Sequence, residues 1–358
     1  MNRSNQKYFY SGDLHVICGE HISTHFIESG DLKDLNELNK KIKRWIENYQ
    51  LDTLLLKIHD ANIEGKVSNS IAAMMTRYAI LNSSLNIGFE TISDEEFDFI
   101  CSMVAEYVMY DPEFEDKYDK LDDRSARDEQ WASFLLKKIG SQIRFNVPLH
   151  NMFGRTYYLY IEMLSSEEMP DYIREIITTD FERIFGTSLK DFINIGFMLC
   201  ARLIKNKGGM YRSYFEIARE NGVPVPNDDV IKKCSEQVTC DTENFINICN
   251  DLDSVEEHLR AYKLNPLLKY PLIRPWNSSD QMNPENDKFI APVPDLLIYR
   301  FTTGLFYQIF NKFSTKFSDN FGHLFGSYVG QVLKWCNLGN RIISEADIKN
   351  YIKNYTGK

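Results

Sequence analysis

No run of eighteen apolar residues occurs in this 358-residue chain, so no transmembrane helix is predicted. The first residues, Met1 to Tyr10, are polar and lack the apolar core of a secretion signal. Both absences predict a cytoplasmic protein with no membrane role. Cysteine is sparse and irregular: Cys18, Cys101, Cys200, Cys234, Cys240, Cys249 and Cys336, an odd number with no CxxC pair. That excludes a disulfide framework or zinc site written in the spacing and predicts buried free thiols. There is no GxxxxGK[ST] loop, no GxGxxG after a strand, no HExxH and no GxSxG. The recognisable nucleotide, metalloprotease and serine-hydrolase signatures are therefore missing, and neither cofactor nor metal is expected. His15, His21 and His25 come nearest to a cluster, but nothing in the pattern fixes a further ligand beside them.

Positive charge is in short supply: 41 Lys and Arg against 51 Asp and Glu give a net charge of −10. The deficit is uneven. Residues 261–358 hold 12 basic and 7 acidic residues, a net of +5, leaving −15 for the rest. An acidic body repels phosphate and makes a poor nonspecific nucleic-acid binder. The C-terminal quarter is compatible with phosphate contact.

What the chain does have is apolar bulk: 43% hydrophobic residues, with 23 Phe and 20 Tyr, enough for a sizeable core. Leu32, Leu35, Leu38, Ile42, Trp45, Ile46 and Tyr49 recur at helical spacing. So do Ile71 to Leu85 and, behind a Ser93–Glu96 capping box, Phe97 to Val108. Asp111 to Glu129 is charge-rich and reads as a solvated loop or helix face. Further helices are predicted at Trp131–Ile139, Tyr157–Leu164, Tyr172–Phe185, Leu189–Ile204, Tyr211–Arg219, Glu243–Asn250, Val255–Tyr262, Asp295–Phe313 and Ser318–Trp335, with a last short one from Ser344. Alternating strand patterns are scarce. The predicted fold is mainly α: an irregular multi-helix body with a smaller C-terminal helical module. Its parts are an acidic helical body (1–222), helices and a proline-rich connecting loop (223–294), and a basic C-terminal module (295–358).

Two segments stand out within this plan. Asn265 to Pro294 holds six prolines, which keep chain extended and remove backbone donors. Leu267, Tyr270, Leu272 and Ile273 are expected to anchor it across the body. Arg274, Trp276 and Arg300 are the candidate ligand-binding residues, since a guanidinium beside a flat ring suits phosphate or base contact. The bland alternative buries Trp276 and pairs Arg274 with a carboxylate. The second segment carries Gly322, Gly326 and Gly330 inside an otherwise strong helix. Each glycine costs that helix roughly 1 kcal/mol relative to alanine. A close-packing face is predicted, with the Asp295–Phe313 helix as its neighbour; close approach of a ligand is the alternative.

The string Asn265-Pro-Leu-Leu-Lys-Tyr-Pro-Leu-Ile-Arg-Pro-Trp276, with Phe289 to Pro294 and Phe317-Ser-Asp-Asn-Phe-Gly-His-Leu-Phe-Gly-Ser-Tyr-Val329, resembles the helical N-terminal and linker region of certain bacterial proteins. Those proteins carry a restriction-endonuclease-like domain of the PD-(D/E)xK type, and some belong to phage defence. The resemblance spans about residues 264–332. It implies a helix equivalent to Ser318–Trp335 before the catalytic strands, often with a metal-holding glutamate; here Gly326 stands at that point. The Asp and Glu-x-Lys of the strands are also absent, and Gly339 to Lys358 is too short to hold that sheet. The expectation is a non-catalytic recognition or regulatory part of a nuclease-type, possibly anti-phage, system. It would bind a protein partner, a nucleic acid, or both. The open alternatives are a helical interaction scaffold without a nucleic-acid role and an enzyme with no sequence signature. Oligomeric state is not legible.

Overall fold

The computed structural model describes residues 35–83, 92–109, 123–141, 149–205 (except 168), 210–252 (except 212), 265–275 and 288–336, with a few single positions beside them. Expectations for residues 1–34, for most of 110–122 and 337–358, for the helix at 255–262, and for Trp276 fall outside these ranges.

The described chain is mainly α. Helices α1 (Leu35–Ile46), α2 (Leu51–Ile63), α3 (Asn69–Asn82) and α4 (Asp94–Met109) build a first core. On α1, Leu38, Ile42 and Ile46 lie one above the other and are buried, as a four-residue spacing requires. Helix α3 is the centre of this group: every residue from Ser70 to Ile80 is buried. Its Ser68 cap accepts from the Ile71 amide at 3.3 Å. The capping box before α4 is present and reciprocal. Ser93 N donates to Glu96 Oε2 at 2.9 Å, and Glu96 N donates to Ser93 Oγ at 3.2 Å.

Helix α5 (Arg124–Ser141) follows, then α6 (Leu149–Tyr157). The latter runs into a π-helical turn, Tyr158–Glu162, and a last α turn, Met163–Ser165. A second core gathers α6 and the two turns after it with α7 (Asp171–Phe185), α8 (Leu189–Lys205), α9 (Tyr214–Glu220) and α10 (Asp228–Glu236). Gly186 closes α7 in the left-handed conformation at φ 64°, which suits glycine. Ser188 caps α8 by accepting from the Asp191 amide at 3.1 Å. Phe181, Phe185, Phe192 and Phe301 form one aromatic stack, with centroid separations of 4.3–5.5 Å.

The proline-rich segment joins the two cores. It begins as a helical turn, α12 (Asn265–Lys269), where the sequence predicts extended chain throughout; it becomes extended only at β3 (Leu272–Arg274). Strand β3 pairs in parallel with β2 (Thr239–Asp241), which leads into α11 (Thr242–Leu252). Ile273 and Ile290 exchange both backbone hydrogen bonds, at 2.8 and 2.9 Å. Next to Ile290, β4 (Lys288–Phe289) pairs antiparallel with β1 (Met210–Tyr211). In β3, Ile273 enters the first core and Leu272 the second, as the period of two dictates. Helix α13 (Pro294–Phe301) repeats the division: Leu296 faces the first core, and Leu297, Ile298 and Phe301 the second.

Two boundaries differ from the sequence reading. First, the helix predicted to end at Phe313 ends at Phe301. Thr302 breaks it with φ −124° and ψ −104°, and α14 (Thr303–Trp335) then runs unbroken for 33 residues. Second, the buried cores do not follow the divisions at 222 and 294. Leu305, Ile309, Phe317 and Leu324 of the C-terminal segment share a core with α7 and α8, while residues before 222 contribute to both cores.

Candidate functional site

Two features have the makings of a site: the arginines at the strand crossover and the far end of α14. Arg274 ends β3, opposite Asp241 in the parallel register. Asp241 does not neutralise it. That carboxylate caps α11, accepting from Asn244 N at 2.8 Å and Asn244 Nδ2 at 3.0 Å. Arg274 instead lays its guanidinium over the Phe289 ring, 5.1 Å from the centroid, a cation–π arrangement. Its Nε is buried without a hydrogen-bond partner. The carboxylate pairing envisaged from sequence is not what holds this side chain.

Arg300 lies deeper. It is only 6% exposed, so a duplex or single strand passing over the surface cannot reach it. Nη2 donates to the Gln237 carbonyl at 3.1 Å, and Nε has no partner. Burial pulls its pKa down to about 10, with Tyr270 and Tyr299 acting in the opposite direction. At neutral pH it is still a cation. Around it, Gln308 Nε2 donates to the Arg300 carbonyl at 2.7 Å. Gln308 Oε1 and Thr239 Oγ1 are buried without partners. Thr239, Gln237 and Gln308 carry no sequence signal. Only the path of the folded chain brings Gln237 and Gln308 to Arg300.

The glycine face requires a correction. A Cβ placed on Gly322, Gly326 or Gly330 would meet nothing within 4 Å, so no close-packed helix lies on them among the described residues. The predicted neighbour could not do so, because residues 303–313 belong to the same continuous helix. The close approaches lie elsewhere. A Cβ on Gly196 of α8 would fall on the Phe301 ring, and one on Gly304 would come within 2.8 Å of the Tyr299 carbonyl.

The end of α14 is open. Phe325 is 47% exposed and Trp335 58%, with Val329 exposed between them. The inner side of the helix is well held. Leu324 is buried, Tyr158 of the π-helical turn packs against Tyr328 and Trp335 at 5.9 and 4.9 Å, and Tyr160 packs against Phe321. Residues 320–333 include no Asp, Glu, Lys or Arg.

Five of the described cysteines are buried free thiols and Cys336 is exposed. Burial pushes the Cys234 and Cys240 thiols up to about 12, which keeps them protonated and unreactive. Among the described residues no three His, Cys, Asp or Glu converge as metal ligands, and no single helix is long and apolar enough to cross a membrane. No protein-family model, curated protein or solved structure matches the chain.

Proposed function

We propose that this chain is a non-catalytic recognition or regulatory part of a nuclease-type defence system, and that it works by docking a protein partner on the outer face of α14. One observation carries the docking: a rigid helix held from within presents three glycines at four-residue intervals beside exposed Phe325 and Val329. The glycines weaken the helix by about 1 kcal/mol each, and no neighbour within the described chain accounts for them. A partner helix laid along that row gains close backbone approach and apolar burial. A nucleic acid does not suit the face, because a phosphate backbone needs cations and residues 320–333 offer none. The nuclease association rests on the sequence resemblance alone.

The test places a photo-crosslinking residue at Val329 in the native host. The expected product is one partner protein. Purified, that partner binds the wild-type chain and binds Phe325→Glu at least tenfold more weakly, with unchanged circular dichroism. Crosslinking to nucleic acid, to a second copy of the chain, or to nothing would overturn the docking. A purified partner whose nuclease activity is neither present nor altered by the chain would remove the nuclease-type half.

A further inference from the structure

Arg300 poses a separate problem. A guanidinium taken out of water loses hydration worth several kcal/mol even after relaxation, and folded proteins offset that with a carboxylate or a full set of hydrogen bonds. Arg300 has neither. Among the described residues no carboxylate lies within ion-pair distance; its Nη2 donates to Gln237 O, and Nε is unmet. The acidic residue of its own helix, Asp295, accepts from Asn69 Nδ2 at 2.9 Å. The groups whose charge Arg300 senses are the phenols of Tyr270 and Tyr299.

Other buried polar atoms on β2, β3 and α14 are unmet as well. Thr239 Oγ1 on β2, Gln308 Oε1 on α14 and Arg274 Nε on β3 are buried without partners, as Arg300 Nε is. Two guanidinium N–H groups and a hydroxyl are donors left without acceptors. A buried donor left this way calls for an acceptor, and a water or an ion is what usually supplies it. Tyr270 and Tyr299 are half-buried, while Arg300 itself is only 6% exposed and closed to a polymer.

We propose that Arg300 anchors a buried anion site that takes a small phosphate-type oxyanion. A tetrahedral oxyanion supplies both the negative charge and the several acceptor oxygens that the guanidinium lacks. The shared chemistry is a phosphate group, whether as the free ion or as the monoester of a small metabolite. The site is independent of the α14 face.

Thermal unfolding of the full chain tests it, at fixed ionic strength with sodium chloride replaced stepwise by inorganic phosphate or by adenosine monophosphate. The wild-type midpoint should rise by about 2 °C for each tenfold increase of ligand above Kd. Arg300→Met should remove that rise while folding normally, since an apolar side chain of similar length relieves the buried charge. Arg300→Lys, which keeps the charge but not the planar fork of donors, should weaken apparent affinity about tenfold. A rise with adenosine monophosphate but not with phosphate identifies the monoester as the ligand; equal rises identify the free ion. No rise with either, or an equal rise in Arg300→Met, overturns the site.

Discussion

At the scale of single residues, the Ser93–Glu96 box shows how local chemistry sets a helix start. Glu96 accepts from the Ser93 amide, and that bond, with the Ser93 side chain, holds its carboxyl below the usual carboxylate range. A carboxylate with a depressed folded pKa contributes stability above its unfolded value, near 4.3. The contribution fades as pH falls through the folded pKa. Glu96→Gln should therefore flatten part of the loss of stability on acidification below about pH 4.5, as measured by urea titrations at successive pH values. Retention of the full wild-type slope would mean that the box contributes nothing. His59 is a different case. It is fully buried, and its Nδ1 meets the Ala291 carbonyl at 2.6 Å. A carbonyl can only accept, so Nδ1 carries the proton. The ring ties α2 to the strand crossover, across 232 residues of sequence. No spacing rule could have found that pair.

At the scale of elements, the α13–α14 break and the glycines of α14 separate two uses of the same residue. At Gly196 the missing side chain lets Phe301 sit against α8, and at Gly304 it clears the turn after Tyr299. At Gly322, Gly326 and Gly330 the space is open. The two groups should respond oppositely to alanine. Gly326→Ala should stabilise the isolated chain by about 1 kcal/mol through helix propensity alone. Gly196→Ala should destabilise it by about 1–3 kcal/mol through overpacking. Chemical denaturation of both variants decides the matter, and a destabilised Gly326→Ala would restore a packed seam on α14. The sequence displays all five glycines alike; which of them are crowded depends on where α13 turns.

At the scale of the whole molecule, two cores share one seam. β3 and α13 each send alternate or neighbouring side chains to opposite sides, so both belong to the two cores at once, with α13 as the last element of the seam. Phe301 sits at its end, fully buried against Phe192 at 4.7 Å. Phe301→Ala should cost about 3–5 kcal/mol in a urea titration, far more than a truncation on the open face of α14; a loss under about 1 kcal/mol would show that α13 does not organise the second core. Most helices were legible from the sequence because three-to-four spacing of large apolar residues survives in any context: Leu38, Ile42 and Ile46 need only one buried side to declare themselves. Helix α2 was not legible because Leu54, Leu55, Leu56 and Ile58 crowd together without a clean period, and the strands were not because two or three residues carry no alternation. The sequence by itself determined the mainly helical class, the Ser93–Glu96 cap and, with Cys336 the exception, the burial of the described thiols, all consequences of local stereochemistry and hydrophobicity. Tertiary structure alone decided that Arg300 is a buried cation without a carboxylate and that the glycine row faces outward. Both depend on which distant segment lies, or does not lie, against a given face, and that is settled by the packing of two cores on a shared crossover.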